Sequence, residues 1–183
     1  MSMPRLLFEG LSRSALTEPG PSPGDADLEA LAALVDVAAR RRLGRSLSIR
    51  QVDAGSCNGC ELEIHALNNP LYNLEGLGIR FVASPRHADL LLVTGPVAKN
   101  MQVALTRTYQ ATPDPKLVVA VGDCGCTGGI FGESYASCGR VSNVIPVDVA
   151  VPGCPPSPRR ILSGILTAIS KTVPDNSRLR SAE

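Results

Sequence analysis

A chain of 183 residues that is 44% hydrophobic and 19% charged has the composition of one globular domain and can bury a substantial core. The 18 Lys and Arg residues nearly balance the 17 Asp and Glu residues, and 3% of the residues are aromatic, which excludes a general attraction for nucleic acid and leaves few rings for stacking on bases. No stretch approaches the roughly 20 apolar residues of a membrane-spanning helix, and the N-terminal stretch is too interrupted for a signal peptide, so we expect a soluble, cytoplasmic chain.

The N-terminal part of the sequence divides into an extended arm and a helix. Residues 1–24 are rich in Ser, Pro and Gly and end in Glu-Pro-Gly-Pro-Ser-Pro-Gly, which cannot sustain regular structure. Residues 25–43 place apolar side chains three and four positions apart and finish with Arg40, Arg41 and Arg42, which suit the C-terminus of a helix. This pattern predicts an amphipathic helix, packed either on its own domain or on a partner subunit or membrane surface. Residues 1–44 form this N-terminal arm and helix.

From residue 45 onward, strand-like and helix-like segments alternate. Strands are expected at residues 47–52, 79–83, 90–94, 116–121 and 144–151, and helices at residues 61–67, 98–109 and 159–171. Such alternation indicates a parallel sheet with helices on both faces, and the apolar run Leu-Val-Val-Ala-Val agrees with burial on both sides. The predicted fold is α/β, a flavodoxin-like doubly wound parallel sheet with an N-terminal helical arm. Residues 45–172 form the domain, and residues 173–183 form a C-terminal tail.

Five of the six cysteines directly follow predicted strands. Cys57 and Cys60 follow the first strand, Cys124 and Cys126 follow the strand at 116–121, and Cys154 follows the last strand. Because the carboxyl ends of parallel strands share one edge of the sheet, where open α/β sheets bind their ligands, these groups should converge in space. In a reducing compartment, clustered cysteines are more often metal ligands or redox thiols than structural disulfides.

Four thiolates at one sheet edge can hold a 4Fe-4S cluster. The Cys57-x-x-Cys60 turn supplies two of the corners, and Cys124 and Cys154 are candidates for the other two. Glycines flank each of these positions, so the backbone can approach closely and direct amide groups at the sulfurs. The pattern therefore predicts one iron-sulfur site on this domain.

Two thiols remain without a place in this scheme. Cys126 competes with Cys124 because both lie in the same tight turn, and spacing alone does not decide between them. Cys138 would need a long loop to fold back to the site. The simpler interpretation of the two extra thiols is a small buried side chain or a loop thiol near the site.

Other kinds of site fit only part of the pattern. Tetrahedral zinc could take Cys-x-x-Cys together with Cys-x-Cys, but zinc ribbons build both halves from knuckles close in sequence, and Cys154 would go unused. A thioredoxin-like dithiol explains the first cysteine group alone. The glycine-rich segment at 122–129 lacks the Lys-Ser/Thr pair of a phosphate loop. A structural zinc scaffold without redox activity stays as an alternative, and it predicts a colourless protein.

Three ordered motifs resemble a known family of electron-transfer subunits. They are Gly-Ser-Cys-Asn-Gly-Cys-Glu-Leu-Glu-Ile at 55–64, Gly-Asp-Cys-Gly-Cys-Thr-Gly-Gly-Ile-Phe at 122–131 and Pro-Val-Asp-Val-Ala-Val-Pro-Gly-Cys-Pro-Pro at 146–156. Over residues 48–170 the chain resembles the small subunit of NiFe hydrogenases and the homologous 20 kDa (PSST/B) subunit of respiratory complex I. Complex I subunits have adjacent cysteines at the first motif, so the Cys-x-x-Cys spacing favours a hydrogenase. The short length and single cluster motif resemble the membrane-bound, complex-I-related group that includes formate hydrogenlyase.

The resemblance implies one 4Fe-4S cluster held by Cys57, Cys60, Cys124 and Cys154, with Cys126 standing where the motif usually has a non-ligand residue. It implies an electron relay, the proximal cluster between a large subunit with a NiFe centre and a ferredoxin-like iron-sulfur subunit. Membrane subunits would join through other chains, on the cytoplasmic face of the inner membrane. No complete active site is expected on this chain alone. The alternative is a complex I type subunit that passes electrons to quinone.

Three further titratable residues have no assigned role. Glu63 aligns with an acidic residue that the family has near the cluster, so a role in proton or quinone chemistry and a solvated helix carboxylate both stay open. His65 and His87 lie in helix-like and pre-strand segments, where a surface or hydrogen-bonded histidine is the simpler interpretation.

Overall fold

Strands and helices alternate along the chain, which a computed structural model describes over residues 26–70 and 72–170. The helices are α1 (Ala26–Leu43), α2 (Gly59–Ala66), α3 (Lys99–Ala111), α4 (Gly122–Thr127) and α5 (Pro158–Ser170). The strands are β1 (Ser48–Asp53), β2 (Arg80–Phe81), β3 (Leu90–Thr94), β4 (Leu117–Val121) and β5 (Val149–Val151). The predicted arm at 1–24 and the predicted tail at 173–183 lie outside the described residues. None of the helices seen in the described part of the chain has the length and apolarity to cross a bilayer.

The five strands form one sheet in which all neighbours are parallel. Their order is β2-β1-β3-β4-β5. The chain moves outward from β1 to β2 and then returns to the other side of β1 to form β3, so the strand order reverses between β1 and β3. This reversal creates a crevice beyond the carboxyl ends of those two strands. The predicted α/β doubly wound fold is confirmed.

Both faces of the sheet are buried, as the continuous apolar strands predicted. Along β3, Leu90 and Leu92 pack in a core with α1, α2 and α5, whereas Leu91 and Val93 pack in a second core with α3 on the opposite face. The alternation follows from the two-residue period of a strand. The central strands are therefore rigid supports for whatever their carboxyl ends carry.

Helix α1 packs on its own domain. Three of its side chains are buried in the core shared with α5, namely Ala32, Val35 and Ala39. Arg42 also donates from Nη1 to the carbonyl oxygens of Ala168 and Ile169, at 3.3 and 2.9 Å, near the end of α5. A guanidinium group there ties α1 to the backbone of the last described turn of α5. The structure thus places the predicted amphipathic helix against the body of the domain.

The last strand is shorter than the pattern at 144–151 predicts, since it spans only Val149–Val151. Pro146 has no amide to donate to a strand ladder. The carboxylate of Asp148 accepts a hydrogen bond from the amide of Val118 at 2.8 Å, and its own amide donates to the carbonyl oxygen of Val118 at 2.9 Å. The side chain and the backbone of Asp148 therefore both pair with Val118 near the start of β4. The regular hydrogen bonding between β4 and β5 begins one residue later, at Val149.

Gly164 lies where α5 packs against β5, and we expect its replacement by alanine to destabilise the fold. An added Cβ would overlap Cγ2 of Val151, whose branched side chain has little freedom to turn away. Overpacking of this kind lowers the free energy of unfolding by about 1 to 3 kcal/mol, measurable by urea denaturation. The exposed neighbour gives the control, because Ser163→Ala should change the free energy by less than about 0.5 kcal/mol. Equal stability of the two variants would contradict this close packing.

Candidate metal centre at the carboxyl edge of the sheet

The loop after β1, which carries Cys57, is held against the end of β3. Oδ1 of Asp53 accepts hydrogen bonds from the amides of Gly55 and Ser56, both at 2.8 Å. Gly95 follows β3 with a φ of +78°, and a Cβ at this position would lie 2.5 Å from the backbone nitrogen of Ser56. Only glycine allows this approach. The loop therefore crosses the crevice where the strand order reverses.

Helix α2 begins within this loop and carries Cys60 in its first turn. A Cβ at Gly59 would lie 3.6 Å from Sγ of Cys57 and 4.0 Å from Cβ of Pro155. Pro155 directly follows Cys154 on the loop after β5. The first and last cysteine groups therefore face each other across the sheet edge.

The segment after β4 folds into α4, a short helix that carries Cys124 and Cys126. The sequence predicted only a tight turn here, because its glycines weigh against a helix. Gly122 begins α4 with a φ of +85°, and a Cβ there would lie 2.5 Å from Sγ of Cys60 and 3.6 Å from the carbonyl oxygen of Gly153. The backbone of α4 therefore lies directly against the first cysteine group.

Two reciprocal hydrogen bonds tie the loop after β5 to α4. The amide of Asp123 donates to the carbonyl oxygen of Gly153 at 2.9 Å, and the amide of Gly153 donates to Oδ1 of Asp123 at 2.8 Å. Gly153 has a φ of +145°, and a Cβ there would lie 2.6 Å from Cα of Pro156. Since Cys124 and Cys154 each follow a member of this pair, their loops are positioned together.

The thiols of Cys60 and Cys124 are influenced by the charges of neighbouring groups at the site. Burial is the largest cause that raises the pKa of Cys60 to about 12, and the charges of Glu61, Cys57, Cys124 and Cys154 add to it. Burial, with the charges of Cys154 and Cys57, also raises the pKa of Cys124. A thiolate nearby makes another harder to form, so as free thiols Cys60 and Cys124 are protonated at neutral pH. Binding of a thiophilic metal group would release the thiol protons, and its positive charge would offset the negative charge of the thiolates that form.

The other two cysteines are placed differently. The thiol of Cys126 lies 3.7 Å from the carbonyl oxygen of Ala120, and burial raises its pKa to about 11 against a backbone hydrogen bond at Val151 that lowers it. Cys138 is 7% exposed in the core beneath α3, and its amide donates to the carbonyl oxygen of Val97 at 2.6 Å. Cys126 therefore contacts the backbone of the sheet, and Cys138 packs in the hydrophobic interior.

A buried carboxylate beside Cys60 was not singled out from the sequence. Glu61 is 5% exposed, and neither of its carboxylate oxygens has a hydrogen-bond partner among the described residues. It lies three positions before the buried Ile64, and this spacing on a helix was the available signal. Glu63, which the sequence analysis considered instead, is half-buried, and His65 is exposed. An unpaired buried carboxylate is unusual enough to mark this end of α2 as part of the site.

The donor set at this edge is made of thiols on the three segments that follow β1, β4 and β5. Within residues 26–70 and 72–170, no three His, Cys, Asp or Glu side chains are arranged to hold a single metal ion. A tetrahedral zinc site would bring its sulfurs to about 3.8 Å from one another, given a Zn–S bond of about 2.3 Å. A cubic iron-sulfur cluster is ligated at its corners, so its four thiolates stand farther apart around one centre. Thiols delivered by three separate segments, with glycine at the points of closest approach, fit that chemistry.

Comparison with known proteins identifies a family and several relatives. The family described as NADH ubiquinone oxidoreductase, 20 Kd subunit matches residues 57–168. The chain is 48% identical over 129 residues to the probable membrane-bound hydrogenase subunit mbhJ of Pyrococcus furiosus, a match that covers 70% of this chain and 77% of that protein. It is 46% identical over 129 residues to formate hydrogenlyase subunit 7 of Escherichia coli, covering 70% of this chain and 51% of that protein.

A solved structure also has a chain with the same fold. It is the structure of the membrane-bound sulfane sulfur reductase, an archaeal respiratory membrane complex. One of its chains superposes with a TM-score of 0.60 and 36% sequence identity, covering 75% of this chain and 73% of that chain. The likeness therefore includes the sequence as well as the sheet topology.

Proposed function

This chain belongs to the family of the 20 kDa subunit of NADH ubiquinone oxidoreductase, whose members are subunits of oxidoreductase complexes, and we propose that it is an electron-transfer subunit holding one 4Fe-4S cluster. The proposed ligands are Cys57, Cys60, Cys124 and Cys154. The observation that carries the proposal is that the segments after β1, β4 and β5, which carry these four thiols, lie against one another at the carboxyl edge of one parallel sheet. That edge is where open α/β sheets bind their ligands.

The residues of this chain would hold the thiolates and control their surroundings. When bound, a 4Fe-4S cluster supplies one-electron transfer. Cys60 and Cys124 are partly buried, which limits their contact with water, whereas Cys57 and Cys154 are exposed. The exposed pair leaves one side of the site open to a partner subunit. Electron exchange with that partner would take place across this side.

The proposed assembly is a membrane-associated NiFe hydrogenase or formate hydrogenlyase complex. Two relatives are named as subunits of a membrane-bound hydrogenase and of formate hydrogenlyase, and the Cys57-x-x-Cys60 spacing favours the hydrogenase branch of the resemblance. In such a complex this cluster would be the proximal one, between a large NiFe subunit and a ferredoxin-like subunit. The chain would be peripheral on the cytoplasmic face of the inner membrane, joined to the membrane subunits through other chains.

A second candidate function is electron transfer to quinone in a complex of the NADH-quinone oxidoreductase type. The matching family favours it, because that family is named after the 20 kDa subunit of NADH ubiquinone oxidoreductase. The same four thiols would hold the same cluster, so the two candidates differ in the partner that receives the electrons. The third alternative, a structural zinc scaffold, differs in the metal itself.

Metal analysis of the anaerobically purified chain tests the cluster. We expect about four iron and four sulfide per chain and an EPR signal after reduction with dithionite. Zinc in place of iron, in a colourless protein, would contradict the electron-transfer function and support the structural zinc scaffold.

The complex can be purified through an affinity tag on this chain. Its metal content and its electron acceptor then test which partner this chain has. Nickel in that complex, together with reduction of its clusters by dihydrogen, would support the hydrogenase proposal. A nickel-free complex that transfers electrons to a quinone analogue would instead establish the second candidate.

A further inference from the structure

Asp123 joins the two segments that deliver Cys124 and Cys154. Its amide and its Oδ1 bond to the carbonyl oxygen and the amide of the same residue, Gly153, at 2.9 and 2.8 Å. One hydrogen bond would set a distance and leave the segments free to rotate, whereas two bonds between one pair of residues also set their orientation. Both polar backbone groups of Gly153 are used in this contact.

A displacement of Asp123 would also displace Cys124, the next residue of α4. Thr127 donates from Oγ1 to the carbonyl oxygen of Asp123 at 2.9 Å, and the amide of Gly128 donates to the carbonyl oxygen of Cys124 at 2.9 Å. These bonds make α4 one rigid unit from its first turn to its end. On the side of α2 this unit has no room to shift, because a single Cβ on Gly122 would already meet Sγ of Cys60.

The carboxylate also places a negative charge beside the thiols. After burial and the neighbouring thiols, Asp123 contributes to raising the pKa of Cys124. A negative charge near a cluster disfavours the added electron. Asp123 therefore has two separable properties, an acceptor oxygen that holds Gly153 and a charge that acts on the site.

We propose that Asp123 is the positioning residue that sets the third and fourth cluster ligands against each other, through its hydrogen bond from the amide of Gly153. This inference rests on the proposed cluster at these thiols. The carboxylate of Asp123 is not a proposed ligand, and it accepts its hydrogen bond from Gly153, which precedes Cys154. It acts by fixing the loop of Cys154 relative to the helix of Cys124, so that both thiolates point at one centre.

Two substitutions in the full chain separate the hydrogen bond from the charge. Asp123→Asn keeps an oxygen acceptor at the same place and removes the charge, whereas Asp123→Ala removes both. Because groups that orient ligands contribute roughly tenfold or more to metal retention, we expect Asp123→Ala to lose iron to a chelator roughly tenfold faster than the wild type. Asp123→Asn should stay within about twofold of the wild type. Both variants should shift the reduction potential upward by similar amounts.

A third variant and a cluster-independent measurement complete the test. Asp123→Glu keeps the charge but moves the acceptor by one methylene, so we expect faster iron loss with little shift of the potential. Hydrogen exchange at the amide of Gly153 should accelerate in the alanine variant and stay near the wild-type rate in the asparagine variant. Equal iron loss in the alanine and asparagine variants, no loss in either, or unchanged exchange at Gly153 would overturn the inference.

The outcome for the wild-type chain separates this inference from the proposed function. If the wild type binds no iron and sulfide, the proposed function fails and the positioning role fails with it. If the wild type binds the cluster and the alanine variant retains it equally well, only the positioning role of Asp123 fails. Far-UV circular dichroism of each variant checks that loss of iron is not loss of the fold.

Discussion

Cys124→Ser is expected to remove the cluster, whereas Cys126→Ser is expected to leave it in place. Cys124 is coupled to the thiols of Cys57 and Cys154, but the thiol of Cys126 lies against the carbonyl oxygen of Ala120. A serine hydroxyl has nearly the shape of the thiol and is a far poorer ligand for iron than a thiolate. We therefore expect the first variant to retain roughly a tenth or less of the wild-type iron and the second to retain nearly all of it.

Iron and sulfide per chain, with EPR of the reduced protein, measure this difference. The two variants are matched controls, because they place the same substitution two residues apart on the same short helix. Retention of the cluster by Cys124→Ser together with its loss from Cys126→Ser would assign the third ligand to Cys126. Retention by both variants would show that neither thiol of α4 binds the cluster, and the proposed ligand set would be wrong.

Gly122→Ala is expected to have the second large effect, on both the fold and the cluster. A left-handed backbone costs a residue with a side chain about 1 to 2 kcal/mol, and Gly122 has a φ of +85°. The added Cβ would also lie 2.5 Å from Sγ of Cys60, which cannot move away while it ligates a metal group. We expect loss of most of the iron and a lower free energy of unfolding.

Gly132→Ala isolates the effect of that contact. Gly132 also has a positive φ, +52°, but a Cβ there would meet nothing within 4 Å. The control should lose about 1 kcal/mol of stability through backbone strain and keep its full iron content. Urea denaturation and iron analysis of both variants make the comparison. If the two variants retain the same amount of iron, close packing of α4 against Cys60 is not required for the site.

The fold could be predicted because its signals are local. The apolar runs at residues 90–94 and 116–121 agree with strands β3 and β4 to within one residue, and alternation with helical patterns indicated the parallel sheet. Since every parallel strand ends at the same edge, the convergence of the cysteine-bearing loops also followed from the order of the elements. The shortened β5 did not, because the bonding between Asp148 and Val118 depends on which strands become neighbours.

The sequence by itself therefore determined the sheet, its carboxyl edge and the clustering of thiols there. Spacing left Cys124 and Cys126 open and the family resemblance implied Cys124, but only the tertiary structure decided that the thiol of Cys126 lies against the carbonyl oxygen of Ala120. The two cysteines lie two residues apart, and an α-helix turns by roughly 100° per residue, so Cys124 and Cys126 point to nearly opposite sides of α4. Spacing cannot reveal this, because the glycine-rich segment favours a turn, whereas the structure shows a helix hydrogen-bonded to Gly153. The burial of Glu61 has the same cause, since packing of α2 on the sheet decides which carboxylate turns inward.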